Sequence, residues 1–228
     1  MQKKIIALVL CLVCLVSVVS FAGAQEADKD YLAGISGTYV ELFPEMSKEE
    51  YCQLWLDAAA PLVGEENAAG AADMLLSMCM AEIYGDEAAA AYEADPESMR
   101  FDCYFLGGVA QFVMDGDKIT GLDAEGNEVF SHTYHPIDVE CEEDFLFYQT
   151  DDEDAGQFTY FAFSPDTMET TYHLEFRYAE DVSDLLSWFE GGYAYWNAAG
   201  IAADYTDETM KDVINLFAEE NLSGAEEG

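Results

Sequence analysis

The stretch from Asp151 to Tyr178, DDEDAGQFTYFAFSPDTMETTYHLEFRY, constrains the fold more than any other part of the chain. An acidic turn leads into apolar-polar alternation over Gln157 to Phe163, which predicts a strand. Ser164-Pro165-Asp166 is turn chemistry, and alternation resumes from Thr170 to Tyr178. Side chains two apart on a strand share a face. The second strand therefore sets Thr171, His173, Glu175 and Arg177 on one side and Tyr172, Leu174, Phe176 and Tyr178 on the other. A chain that makes such a hairpin needs further strands to bury its apolar face.

Those strands are expected upstream. GTYVELF, Gly37 to Phe43, reads as a first strand ended by Pro44, and Phe101 to Leu106 and Val109 to Met114 flank Gly107-Gly108 as a hairpin. Lys118 to Leu122, Glu128 to Tyr134 and Asp144 to Gln149 follow, separated by the turn residues Asp115-Gly116-Asp117 and Asp123-Ala124-Glu125-Gly126-Asn127. Position five after Asp115 is Ile119, and no glycine and distal glutamate follow at the spacing of a calcium loop. A meander of this kind closes on itself as a barrel, which removes exposed edges.

Helical spacing interrupts the strands. Ser47-Lys48-Glu49-Glu50 has capping-box spacing, ahead of a helix that presents Tyr51, Leu54, Trp55 and Ala58 and stops at Pro61. The alanine-rich run from Glu65 to Ala94, with a break near Gly85-Asp86, predicts two more helices, so that helices are inserted over about 47–94. Its methionines are suited to core packing. After the last strand, Asp181 to Phe189 and Asp207 to Asn221 predict helical packing against the sheet. The class is α+β: an antiparallel β-barrel with inserted N-terminal helices and C-terminal helices.

The opening residues have the parts of a secretory signal. Lys3 and Lys4 precede an apolar run from Ile5 to Val19, and Ala22-Gly23-Ala24 offers a cleavage site, so residues 1–24 are expected to be removed and 25–228 to form one extracytoplasmic domain with no membrane insertion. In an oxidising compartment the four remaining cysteines have three possible pairings. Cys52 with Cys79 and Cys103 with Cys141 is favoured, since each pair lies within one kind of predicted structure; four buried thiols are the alternative. The 47 acidic residues against 8 basic ones, a formal charge of -39, repel phosphate backbones and exclude nucleic acid as a partner.

The chain carries no nucleophile elbow, phosphate loop, Rossmann glycine pattern or HExxH helix, and a non-enzymatic role is expected. Three histidines remain to weigh. His132 and His135 are placed on opposite sides of a strand and read as surface or edge residues. His173 and Glu175 share a face, which is either the watered side of an amphipathic strand or a polar barrel mouth where two zinc-competent ligands meet a divalent cation.

Asp154-Ala155-Gly156-Gln157-Phe158, the strand ending Phe163-Ser164 and the strand carrying His173 resemble the ZinT family of extracytoplasmic zinc-binding proteins. GTYVELFP at Gly37 to Pro44, Leu185 to Phe189 and Tyr193-Ala194-Tyr195-Trp196 resemble that family's first strand, late helix and aromatic segment. The likeness is good over about the last third of the chain. It implies a calycin, lipocalin-like barrel with helical additions, and a zinc site of three histidines, one after the serine turn and two as HxH on the next strand. Here Asp166 stands in the first column and His173-Leu174-Glu175 on the strand, so the implied metal ligands are Asp166, His173 and Glu175. One imidazole with two carboxylates is a harder set that discriminates less against manganese.

The resemblance thus implies a secreted zinc or other divalent-metal binder engaged in metal capture or transfer, with the solute-binding component of a metal importer as partner. The alternative is a metal-free calycin module holding a small molecule in the barrel mouth, with Tyr160, Tyr172, Tyr178, Tyr193, Tyr195 and Trp196 as contacts.

Overall fold

The computed structural model describes residues 31–80, 94, 104–141, 145–164, 173–188 and 198–223. The proposed signal segment, the second alanine-rich helix, Cys103, Asp166 and the Tyr193 to Trp196 segment lie outside them. Among the described residues no helix is long and apolar enough to cross a membrane.

Among the described residues, nine antiparallel strands form one sheet: β1 Gly37–Glu41, β2 Gln111–Asp115, β3 Lys118–Leu122, β4 Glu128–Thr133, β5 His135–Ile137, β6 Leu146–Gln149, β7 Tyr160–Phe163, β8 Leu174–Ala179 and β9 Ala198–Ala202. Their order is β4-β3-β2-β1-β9-β8-β7-β6-β5. The two end strands are consecutive in the chain, with Tyr134 alone between them. One extended run therefore passes from pairing with β3 (Lys118 opposite Thr133) to pairing with β6 (His135 opposite Gln149), and the sheet curls into a near-barrel. Tyr134 makes the corner: its N–H donates to Asp117 O at 2.7 Å and its hydroxyl to Phe158 O at 2.5 Å. This is the α+β architecture of a curling antiparallel sheet with helices expected from the meander, and the calycin-like form that the family resemblance implies.

Period-two alternation sends Phe112, Met114, Ile119, Phe161, Phe163, Leu174, Phe176 and Tyr178 inward, where they form one buried cluster with Phe105, Phe130 and Phe158. Phe112 sits at its centre, with ring centroids 4.7 Å from Phe105 and 5.0 Å from Phe176, both edge-on. Phe130 and Phe158 stack at 3.9 Å. Among the described residues, the rings of this cluster pack on one another in the barrel interior. Tyr178 belongs to that interior, whereas Tyr160 packs against the separate cluster of Phe147, Ala162 and Leu185, so the two do not line one cavity.

Helix α1, Tyr31–Gly34, buries Tyr31 and Leu32 in the barrel-interior cluster. The helices that follow pack outside the sheet. The first strand ends earlier than expected, at Glu41, because Leu42–Met46 forms α2. Pro44 is inside that helix, in its first turn, where a missing N–H costs nothing. The expected capping box does not form: Ser47 Oγ donates back to Phe43 O at 2.7 Å, closing α2, and a 3-10 turn over Glu49–Tyr51 leads into α3, Cys52–Val63. Helix α3 also runs through Pro61 to a left-handed Gly64, since the buried Trp55, Ala58 and Ala59 hold it against its neighbours.

Helix α4, Ala68–Met78, buries Ala68, Ala72 and Leu75 at helical spacing. Helix α5, Val182–Trp188, covers β7 and β8 through Leu185. In α6, Asp207–Leu222, Thr206 caps the first turn by accepting from Thr209 N at 3.1 Å. It packs Phe217 edge-on against Trp55 at 5.8 Å and Phe43 at 5.7 Å. Val40, Ala199 and Ile201 give this layer its floor on the sheet.

Three further expectations change. The hairpin of 101–106 with 109–114 is ruled out, because β2 already has β1 on one side and β3 on the other. Residues 104–106 are instead tied by side chains: Phe105 N donates to Glu41 Oε1 at 2.7 Å, and Tyr178 Oη donates to Leu106 O at 2.9 Å. Gly107 completes the crossing at φ +71°, where a Cβ would stand 2.4 Å from Gln157 Nε2. Second, the region after β8 is not all helical: Ala198–Ala202 is the strand that joins β1 to β8. Its small residues make room for large ones, since a Cβ on Gly200 would lie 3.4 Å from Phe105 Cζ and from Tyr39 Cβ. Third, Cys52 and Cys79 are both free, Cys52 exposed at the start of α3 and Cys79 buried just past α4, its thiol donating to Leu75 O at 3.4 Å. Cys141, half-buried, is free as well, so the favoured pairing with Cys103, itself outside the described residues, does not form.

Candidate metal centre

Strand β8 sets the geometry. Because Leu174, Phe176 and Tyr178 point into the barrel, Glu175 and Arg177 stand on its outer face, and His173 precedes the strand beside Glu175. His173 Nε2 lies 3.2 Å from Glu175 Oε1. The imidazole is mostly covered, with 14% of its side chain exposed, while the carboxylate keeps 43%. The shared face is thus real, and it belongs to the outside of the barrel.

The neighbouring strand fixes this end of β8. Phe163 pairs with Phe176, and Ser164 N donates to Glu175 O at 2.9 Å. The carbonyl of Ser164 accepts from Tyr31 Oη at 3.1 Å, and the Tyr31 ring lies 5.6 Å from that of Phe163. Asp166, the third residue of the implied set, is outside the described residues. Among the described residues, no three histidine, cysteine, aspartate or glutamate side chains gather where an ion could be held.

The pair itself fits a small divalent cation. Two ligands each about 2 Å from a tetrahedral zinc are roughly 3.3 Å apart, and the observed 3.2 Å separation matches that edge. One imidazole nitrogen and one carboxylate oxygen are both zinc donors, and two further positions would have to come from elsewhere.

Arg177, on the same face, is not in water. Arg177 is fully buried, and its Nη1 donates to Tyr104 O at 3.1 Å, while Tyr104 Oη donates to Cys79 O at 2.7 Å. Alternation assigns Arg177 its face correctly but cannot show that the chain after α4 covers that face. The only signal for it was an arginine in a chain with 8 basic residues.

The other two histidines stand apart from this pair. His132 Nδ1 lies 2.8 Å from Asp152 Oδ2, and the ring stacks on Phe130 at 5.8 Å with 12% of the side chain exposed. His135 is exposed on β5. They occupy the two strands at the ends of the sheet, as an edge reading requires, although His132 is more covered than a surface residue.

No family model matches the sequence, and no curated protein matches it. Among solved structures, the Zn(II)-bound ZinT-like domain of Streptococcus pneumoniae AdcA is similar, with a TM-score of 0.50 and 13% identity over 82% of this chain and 89% of that one. The Zn(II)-bound AdcA of Streptococcus pneumoniae is matched at a TM-score of 0.47 and 14% identity, and there the chain spans 35% of the matched protein. The present chain has the fold of a ZinT-like domain.

Proposed function

We propose that this protein is a ZinT-like divalent-metal-binding protein, with zinc as its principal cation, that acts outside the cytoplasm in metal capture or transfer and catalyses no reaction. The observation that carries the reading is the separation of 3.2 Å between His173 Nε2 and Glu175 Oε1, on a fold shared with a domain described as Zn(II)-bound. In the proposed site Asp166 is the third ligand. The cation is cargo. It would take the place of the contact between His173 Nε2 and Glu175 Oε1, with the neutral ring keeping its one N–H at Nδ1.

Two carboxylates beside one imidazole make a harder site than three imidazoles. Such a site holds zinc less tightly and admits manganese more readily, which suits a carrier that must release its ion. The acidic surface raises the local cation concentration without choosing among cations. By the family resemblance, the proposed partner is the solute-binding component of a metal importer.

Calorimetric titration of the chain over residues 25–228 with zinc tests this. The expected result is one zinc per chain, with affinity reduced at least about 10-fold in His173→Ala. Identical isotherms for the wild type and the variant would sink the site.

A further inference from the structure

We infer that Tyr31 is a positioning residue for the His173–Glu175 pair, an inference that rests on the metal-binding reading above. Ser164 is held from both sides at the point where β7 ends. Its N–H donates to the carbonyl of Glu175 at 2.9 Å, and its own carbonyl accepts from the phenol of Tyr31 at 3.1 Å. The phenol comes from 133 positions earlier in the chain. It is itself rigidly placed, since Tyr31 is 9% exposed, belongs to the barrel-interior cluster and packs its ring on Phe163.

The consequence is mechanical. Among the described residues, the Ser164 N–H to Glu175 O bond is the backbone bond between β7 and β8 nearest His173, and strand ends open more readily than strand centres. If that end opens, Glu175 loses its fixed place beside His173 and the pair is no longer spaced for one ion. The Tyr31 hydroxyl satisfies the Ser164 carbonyl and opposes that opening. A ligand that binds only the closed arrangement has its apparent affinity scaled by the closed fraction, so the hydroxyl acts on metal affinity without touching the metal.

Tyr31→Phe removes the one oxygen and keeps the ring against Phe163. Tyr39→Phe is the control, because Tyr39 Oη makes a comparable bond to Ile35 O at 2.9 Å in the same N-terminal region without reaching Ser164. Two readouts are taken: zinc affinity by calorimetry, and hydrogen exchange of the metal-free chain over residues 161–176. The inference expects zinc affinity about 5-fold weaker in Tyr31→Phe, unchanged in Tyr39→Phe, and faster exchange confined to Tyr31→Phe. Unchanged exchange in Tyr31→Phe, or equal weakening by both variants, would overturn it. Absence of zinc binding by the wild type defeats the metal reading, and with it the role assigned to Tyr31, while faster exchange alone would still mark Tyr31 as holding the strand end.

Discussion

Arg177 Nη1 donates to the main-chain carbonyl of Tyr104 at 3.1 Å from a side chain that has no exposed surface. This places a guanidinium between the barrel wall and the chain that follows the helical layer, two positions from Glu175 on the same strand face. A buried cation is tolerated only where hydrogen bonds and charge replace its hydration. Arg177→Ala strands those partners and leaves a void, and is expected to lower stability by about 3 kcal/mol. Arg177→Lys should recover only part of it, because an ammonium lacks the planar fork. Urea unfolding of both variants checks this, and a loss for Arg177→Ala well under about 1 kcal/mol would contradict it.

Gly121 allows Phe130 to lie flat across β3. A Cβ there would meet Phe130 Cε1 at 2.3 Å, Phe130 Cδ1 at 2.7 Å and Val109 Cγ2 at 3.0 Å. Phe130 cannot yield easily, being stacked on Phe158 at 3.9 Å. Gly121→Ala is therefore expected to cost about 2 kcal/mol by overpacking, even though alanine suits the extended backbone. A thermal unfolding curve that superimposes on the wild type would show that the aromatic stack has more freedom than its contacts imply.

Burial pushes the Cys79 thiol well above its ordinary value of 9.0. The unfolded chain releases that proton near pH 9 while the folded chain keeps it, so this contribution is fully present below pH 9 and declines as pH rises. Between about pH 8 and about pH 10 the loss from this group is about 1.4 kcal/mol, and Cys79→Ala should remove that part of the alkaline decline. The same burial predicts that iodoacetamide labels the exposed Cys52 in the folded chain and Cys79 only on unfolding. Mass spectrometry after labelling decides this, and a Cys52 that stays unlabelled until a reductant is added would restore the disulfide.

Much of the fold could be read from periodicity. The strands β3 and β4 and the helix α6 lie where their patterns place them, within a residue or so, because each has one buried face and a clear boundary. Legibility fails where tertiary context outweighs local preference. AAGIA at Ala198–Ala202 has weak strand propensity, yet it is the strand beside which Phe105 and Phe176 find room. Pro61 looks like a stop and is carried inside α3 by the packing of Trp55. Ser47 has the right spacing to cap the next helix but closes the preceding one instead.

The candidate site divides along the same line. That His173 and Glu175 share a face follows from a spacing of two on an extended chain, which covalent geometry alone imposes. Which side of the barrel that face takes, and what covers it, depended on contacts across the chain. Tyr31 on Ser164, Tyr104 over Arg177 and Tyr134 at the closing corner each join residues far apart in sequence or belong to a pairing that exists only once the sheet has curled. By itself the sequence determined alternation, turns and the chemistry of the ligand pair, because those are local properties of backbone and side chain. Only the tertiary structure decided burial, closure and support, because these are set by which segments exclude water from one another.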